Sequence, residues 1–332
     1  MSGITSWSRA GKQSGPSCDE VPIFRTEENR AELSAMYDEG LDRWPVPFET
    51  FFVPGRYGRT HVIASGDVAS PPLILLHPMG AGGFMWSSIA AALSAKRTVY
   101  ALDTIGDVGR SELVDPDRYP KRGSEYSAWL DDVYEGLGIT ATDVVAGSMG
   151  GWIAMNRAIY APERVRRLAL LGPMGLPSVR ATLGVLGPMM SHVVRPTDAK
   201  LERIITRSLG QGERVNREFR AWMRILGRCR PKVGQPFHIA GRKLRMIKAP
   251  TLVILGGNDG LIGSATAAAG RARRNIARCE VEILPGAGHV MSIDEPEFVG
   301  GRVARFLEGA TDGDGTRRRG GVESAGARVA QR

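Results

Sequence analysis

Cysteine is scarce in this chain of 332 residues: there are three, Cys18, Cys229 and Cys279, far apart and in no Cys-x-x-Cys or Cys/His spacing. That leaves no basis for a disulfide framework or a zinc site, and it fits a reduced compartment, the cytoplasm. Long apolar runs are also missing. No stretch approaches the ~18 apolar residues of a membrane span. The opening segment, Met1 to Glu20, is polar and lacks the apolar centre of a signal peptide. Lysine is rare too, at 7 of the 44 basic residues, so the basicity is almost all arginine, a bias that GC-rich coding produces by itself. With 42% hydrophobic and 24% charged residues the composition excludes a disordered or fibrous protein and suits one large core or two domains.

The formal charge is +9, which first suggests a polyanionic partner. Its location argues otherwise. Between residues 173 and 248 there are sixteen Lys/Arg and four Asp/Glu, a net +12 that leaves −3 for everything else. No nucleic-acid-reading motif accompanies the charge, and neither nucleic acid nor a membrane is expected as a partner.

The two ends, residues 1–20 and 309–332, are small and polar, and are expected to be disordered. Between them short apolar runs alternate with helical patterns, the signature of a mostly parallel sheet covered on both faces. Residues 50–53 and 60–64 read as an opening hairpin, and 73–76, 98–102, 143–146, 165–171, 251–255 and 281–284 as buried strands. Helices are expected near 84–95, 124–137, 149–160, 264–277 and 295–308. The expected fold is thus α/β, with an eight-stranded sheet formed by residues 21–172 and 249–308. The interval 173–248 is far longer than one crossover needs and reads as an inserted helical lid.

The strongest local signal is Val144-Val145-Ala146-Gly147-Ser148-Met149-Gly150-Gly151-Trp152, an apolar strand entering a helix through small residues with a serine at the corner. Such a turn strains the serine backbone and exposes its hydroxyl at the carboxyl edge of the sheet. Serine needs a base, and the base an orienting acid. Both follow in order: Asp259 just beyond the strand Thr251–Leu255, and His289 just beyond the last strand. Sites of open α/β sheets lie at those carboxyl ends.

With Leu75-Leu-His-Pro-Met-Gly-Ala-Gly-Gly83, Ala101-Leu-Asp-Thr-Ile-Gly-Asp-Val-Gly-Arg-Ser111, Gly257-Asn-Asp259 and Gly288-His289 followed by Asp294-Glu-Pro-Glu-Phe298, the chain resembles the α/β-hydrolase fold superfamily over residues 50–308, in its esterase-like, lid-bearing branch. The resemblance implies Ser148 as nucleophile, His289 as general base and then acid, and Asp259 as the group that fixes the imidazole. It implies an oxyanion hole from the backbone N–H groups of Met79 and Met149, and requires neither cofactor nor metal. Two positions depart from the family pattern: Ala146 stands two before the serine where glycine is usual, and His77-Pro78 replaces His-Gly in the oxyanion loop, removing one N–H. His77 reads as a structural brace and Asp103 as a loop-fixing residue. Asp294 reads as the N-cap of the last helix.

Phe84, Met85, Trp86, Met174, Met189 and Met190 are candidate substrate-binding residues, because flexible methionines and aromatics suit an apolar ligand. The expected function is a serine hydrolase acting on a carboxylic ester or thioester of a small to medium apolar acyl compound through an acyl-enzyme. Alternatives are a non-hydrolytic tailoring enzyme on the same fold (elimination, acyl transfer or cyclisation), or a non-catalytic ligand receptor. The basic lid suits an acidic acyl carrier protein as partner.

Overall fold

In the computed structural model, residues 23–176, 191, 197, 199–200, 202–203, 221–223 and 226–309 are described. The expectations for both chain ends, for most of the interval 173–248, and for Met189 and Met190 lie outside them.

The sheet forms in the order β1 (Phe48–Gly55), β2 (Gly58–Ser65), β3 (Pro72–Leu76), β4 (Thr98–Leu102), β5 (Glu112–Leu113), β6 (Thr142–Gly147), β7 (Val165–Leu171), β8 (Thr251–Gly256) and β9 (Cys279–Leu284). Across the sheet the strands run β1-β2-β4-β3-β6-β7-β8-β9, with the two-residue β5 paired to β2. Every pair from β4 to β9 is parallel, whereas β1 and β2 form the expected antiparallel hairpin, closing at Gly55 opposite Gly58.

The strands pair because they are nearly continuous apolar runs, as a sheet covered on both faces requires. Alternate residues feed two separate cores, and in β3 all four of Leu73 to Leu76 are fully buried. Ile74 and Leu76 face one cluster with Val144, Leu170 and Val253. Leu73 and Leu75 face the other with Val145, Ala169 and Ile254. Each fully buried side chain of this size contributes about 1.5–3 kcal/mol relative to exposure.

Among the described residues six longer helices cover the faces: α1 (Glu27–Asp42), α2 (Ser87–Ser94), α3 (Gly123–Gly136), α4 (Ser148–Tyr160), α5 (Ala265–Asn275) and α6 (Pro296–Leu307). Residues of α3, α4 and α5 join the first cluster and residues of α2 and α6 the second. The sequence reading assigns no element to α1. The signal was present: Thr26 caps the helix by accepting the Asn29 N–H at 3.2 Å, and Leu33, Tyr37 and Leu41 bury one face at four-residue spacing.

The end of the chain corrects one expectation. Asp294 does not cap the last helix; it closes a short helical turn, Met291–Asp294, and α6 begins two residues later, with Glu295 as its N-cap and Pro296 at its first position. Proline is well placed there because its missing N–H would be unbonded anyway. The Asp294 carboxylate instead accepts the Gly288 N–H at 3.2 Å, next to His289.

No helix among the described residues is long and apolar enough to cross a membrane.

Candidate active site

The parallel register brings the strand ends level. Leu76 lies opposite Ala146, Gly147 opposite Leu171, Leu171 opposite Ile254, and Gly256 opposite Leu284. The loops that follow β3, β6, β7, β8 and β9 therefore emerge along one edge, and they carry Met79, Ser148, Gly172, Asp259 and His289.

Ser148 begins α4 directly at the end of β6, with φ of 50°, and is the one non-glycine residue with positive φ among the described residues. A left-handed backbone at a non-glycine residue costs roughly 1–3 kcal/mol and persists where the surroundings impose it. The imposition is visible in Gly150. A Cβ there would stand 2.2 Å from the Leu76 carbonyl oxygen and 2.7 Å from that of His77, so α4 passes too close to β3 for any other residue. Ala146 supplies the small side chain on the other side and is fully buried.

The Gly256-Gly257 pair lets the last two loops meet. A Cβ on Gly256 would stand 2.3 Å from the Gly288 carbonyl oxygen, and one on Gly257 would stand 2.7 Å from that of Pro285. Asn258 N–H then donates to the Ala287 carbonyl at 3.0 Å. The result is a buried pair: His289 Nδ1–H donates to Asp259 Oδ2 at 2.7 Å, while Asp259 Oδ1 accepts the N–H groups of Leu261 at 2.9 Å and Ile262 at 3.2 Å. With Nδ1 bound to the carboxylate, Nε2 is the nitrogen able to accept a proton, and it is buried without a hydrogen-bond partner among the described residues.

Gly172, which the sequence reading passes over, closes the gap behind this pair. It has φ of +50°, and a Cβ on it would stand 3.2 Å from Asp259 Oδ2 and 3.3 Å from His289 Nδ1. Two residues on, the Met174 N–H donates to the Ser148 carbonyl at 2.9 Å, tying the β7 loop to the elbow.

The loop after β3 folds as a tight turn, with Ala81 N–H donating to the Pro78 carbonyl at 3.2 Å and Gly80 in the third position at φ +73°. His77 braces it. Its Nε2 accepts the Thr104 N–H at 2.9 Å, so Nδ1 carries the proton and donates to the Pro78 carbonyl at 2.7 Å. Met149 is the second residue of α4, where an N–H has no partner inside the helix.

Two further carboxylates lie behind the turn. Asp103 accepts the N–H groups of Gly83 at 2.6 Å and Arg110 at 2.7 Å, the Tyr37 hydroxyl at 3.0 Å, and His61 Nδ1 at 3.2 Å. Burial by itself would raise its pKa, but the His61 hydrogen bond and charge, with the Gly83 N–H, hold it at about 2. Asp103 thus fixes the loop, and His61 gains a partner that no sequence spacing reveals. Asp107 is equally buried, and burial pushes it up to about 6 despite the N–H groups of Gly80 and Val108 that it accepts.

Of the candidate substrate-binding residues, Phe84 is half-buried and sits edge-on between Tyr37 and Trp222, at centroid distances of 4.9 Å and 5.3 Å. Met85 is half-buried, and Met174 is buried next to the elbow. Trp86 is 1% exposed and belongs to the cluster beneath α2 and α6. Several described basic residues of the interval 173–248 have partners within the chain: Arg228 pairs with Glu32 at 3.0 Å, Lys232 with Asp117 at 3.9 Å, and Lys243 donates to the Tyr160 hydroxyl at 3.0 Å. Most of the arginines behind the acidic-carrier expectation lie outside the described residues. Among the described residues no group of three or more His, Cys, Asp or Glu side chains is arranged to hold a metal ion.

The strained serine at a strand-to-helix corner and the Asp–His pair on the neighbouring strand ends belong to a known class: the chain is a member of the Alpha/beta hydrolase family, whose sequence pattern it matches over residues 73–301, and it is a hydrolase of that fold. It is 31% identical, over 87% of its own length and 96% of the relative's, to the Uncharacterized carboxylesterase nap of Bacillus subtilis (strain 168). The crystal structure of naproxen esterase (carboxylesterase NP) from Bacillus subtilis is similar with a TM-score of 0.74 and 30% identity, covering 85% of this chain and 99% of that one. Carboxylesterase CesB (YbfK) from the same organism gives a TM-score of 0.74 at 29% identity, covering 86% of this chain and 100% of that one.

Proposed function

We propose that the protein is a serine carboxylesterase that hydrolyses an ester of a small to medium apolar acid through an acyl-enzyme. Ser148 Oγ attacks the ester carbonyl while His289 Nε2 takes its proton. Asp259 holds the imidazole in the tautomer with Nδ1 protonated and stabilises the imidazolium that forms. The N–H groups of Met79 and Met149 receive the oxyanion, each worth on the order of 10²–10³ in rate. His289 then donates its proton to the leaving alkoxide, and water attacks the acyl-enzyme by the same route in reverse. Phe84, Met85 and Met174 supply the apolar surface near the acyl group.

The observation that carries this reading is the buried Asp259–His289 pair at 2.7 Å, whose second imidazole nitrogen has no hydrogen-bond partner among the described residues. A buried polar atom without a hydrogen bond costs about 1–3 kcal/mol, and a general base is a reason to keep one. The carboxylesterase names of the relatives favour an oxygen ester over a thioester or a non-hydrolytic reaction. A screen of aryl and alkyl esters of graded acyl length, run in oxygen-18 water beside Ser148→Ala, tests it. Solvent oxygen is expected in the released acid, and no turnover in the variant. Full activity of Ser148→Ala, or an acid free of solvent oxygen, would refute the reading.

A further inference from the structure

We infer that Arg271 is a positioning residue for the segment 172–176: its guanidinium fastens that segment, together with the returning residues 238–239, to α5 and so fixes the wall beside the acyl group. The inference rests on the esterase reading, in which this segment borders the acyl group. Close to the site the segment is held by its own main chain. Gly172 N–H donates to the Ile254 carbonyl at 2.9 Å, and Met174 N–H to that of Ser148 at 2.9 Å. A Cβ on Gly172 would stand 3.3 Å from His289 Nδ1, so the segment borders both the elbow and the Asp259–His289 pair.

Beyond Met174 the hold passes to Arg271. Its Nη1 donates to the carbonyls of Gly175 at 3.0 Å and Leu176 at 2.7 Å. Its Nη2 donates to His238 Nε2 at 3.0 Å and to the Ile239 carbonyl. Ile239 N–H donates in turn to the Gly175 carbonyl at 3.1 Å, and from α4 Trp152 Nε1–H donates to the Phe237 carbonyl at 2.9 Å. The chain leaving the sheet after β7 and the chain returning to it before β8 thus meet at one guanidinium. The helix beneath admits them because its buried face is alanine: Ala268 and Ala272 share the first core cluster with Met174, Leu176 and Ile239.

The arrangement uses the planar fork of arginine. Among the described residues no carboxylate pairs with Arg271, whose bonds go to three carbonyls and one imidazole. Burial lowers its pKa, a cost that these charge-assisted bonds offset. Lysine, a compact point charge, has no such fork. Without the arginine the outgoing and returning chains lose their common anchor. The reacting groups keep theirs, since Asp259 accepts from Leu261 and Ile262 and Met174 stays tied to Ser148. Loss of Arg271 therefore falls on acyl binding and spares bond breaking.

The test is steady-state kinetics of Arg271→Met on the p-nitrophenyl esters of acetate, butyrate, hexanoate and octanoate, with active sites counted by fluorophosphonate titration. This variant keeps the apolar stem and removes the fork. Expected are a kcat per titrated site within about twofold of wild type, an unchanged KM for acetate, and a KM raised about 10-fold for octanoate, the lower end of what one methylene contact in an apolar pocket is worth. A merely structural role would reduce the titratable sites and leave KM the same for all four esters. That result overturns the inference. Should Arg271→Met not fold, Trp152→Phe decides, because it removes the bond to Phe237 and keeps an aromatic ring. A KM raised for octanoate and not for acetate is expected; a KM unchanged for octanoate, or raised equally for acetate, overturns the inference. If Ser148→Ala is inactive while Arg271→Met keeps the wild-type KM across the series, this inference alone fails. If Ser148→Ala stays active, it is the esterase reading that fails.

Discussion

On the proposed base side of the site a single 2.7 Å bond from His289 to Asp259 does the orienting, and both residues sit in loops that directly extend adjacent strands. On the proposed oxyanion side the orienting is spread over main-chain amides that converge on Asp103 and Asp107 from the turn after β3 and from their own loop. These two carboxylates are four residues apart and equally buried, yet they differ in ionisation, one held at about 2 and the other raised to about 6. Asp103 has a histidine and a tyrosine as partners, whereas among the described residues Asp107 accepts only from backbone N–H groups. Burial is the same in both places, and the partners decide the outcome.

The contrast can be broken most sharply on the base side. Asp259→Asn leaves the space filled but lets the amide donate to Nδ1, favouring the imidazole tautomer with Nε2 protonated. A fall in kcat of about 10⁴ is expected from a wrong tautomer, measured under ester saturation, with KM little changed. Gly172→Ala strains the same pair from behind. The new methyl would stand 3.2 Å from Asp259 Oδ2 and 3.3 Å from His289 Nδ1, closer than ordinary van der Waals contact, at a φ of +50°. Chemical denaturation should show a loss of about 1–3 kcal/mol, and kcat should fall about 10-fold or more, since small misplacements of reacting groups are costly.

Asp103→Asn acts on the other side and chiefly on stability. Its carboxyl is depressed in the folded state, so its contribution is fully present above the ordinary carboxylate range and is lost as the pH falls through about 2. The variant should be less stable than wild type by about 3 kcal/mol at neutral pH, because His61, Tyr37 and two N–H groups lose a charged acceptor. The gap in urea denaturation should narrow as the pH is lowered towards 2. A gap that widens instead would contradict the assignment.

Much of the base side was legible in the sequence because its signals are local. The elbow is read from Ala146, Ser148 and Gly150, and Asp259 and His289 from their positions at the ends of apolar runs. All eight expected strands form, within two residues of the expected bounds. The oxyanion side was less legible because its contacts are distant in sequence: Tyr37 with Asp103, His61 with Asp103, and Gly80 with Asp107 are 66, 42 and 27 residues apart. No spacing rule links them. Gly172 was missed for a related reason, since its positive φ and its neighbours exist only after β7, β8 and β9 are side by side. Asp294 was misread by a single residue, although Pro296 marked the true helix start.

The most direct test of the central claim is to map where a fluorophosphonate probe attaches, by intact-mass and peptide mass spectrometry, in wild type, Ser148→Ala and Asp259→Asn. One adduct, on Ser148, is expected in wild type, none in Ser148→Ala, and a much slower reaction at the same serine in Asp259→Asn. An adduct on another residue in wild type, or undiminished labelling of Ser148→Ala, would contradict the account.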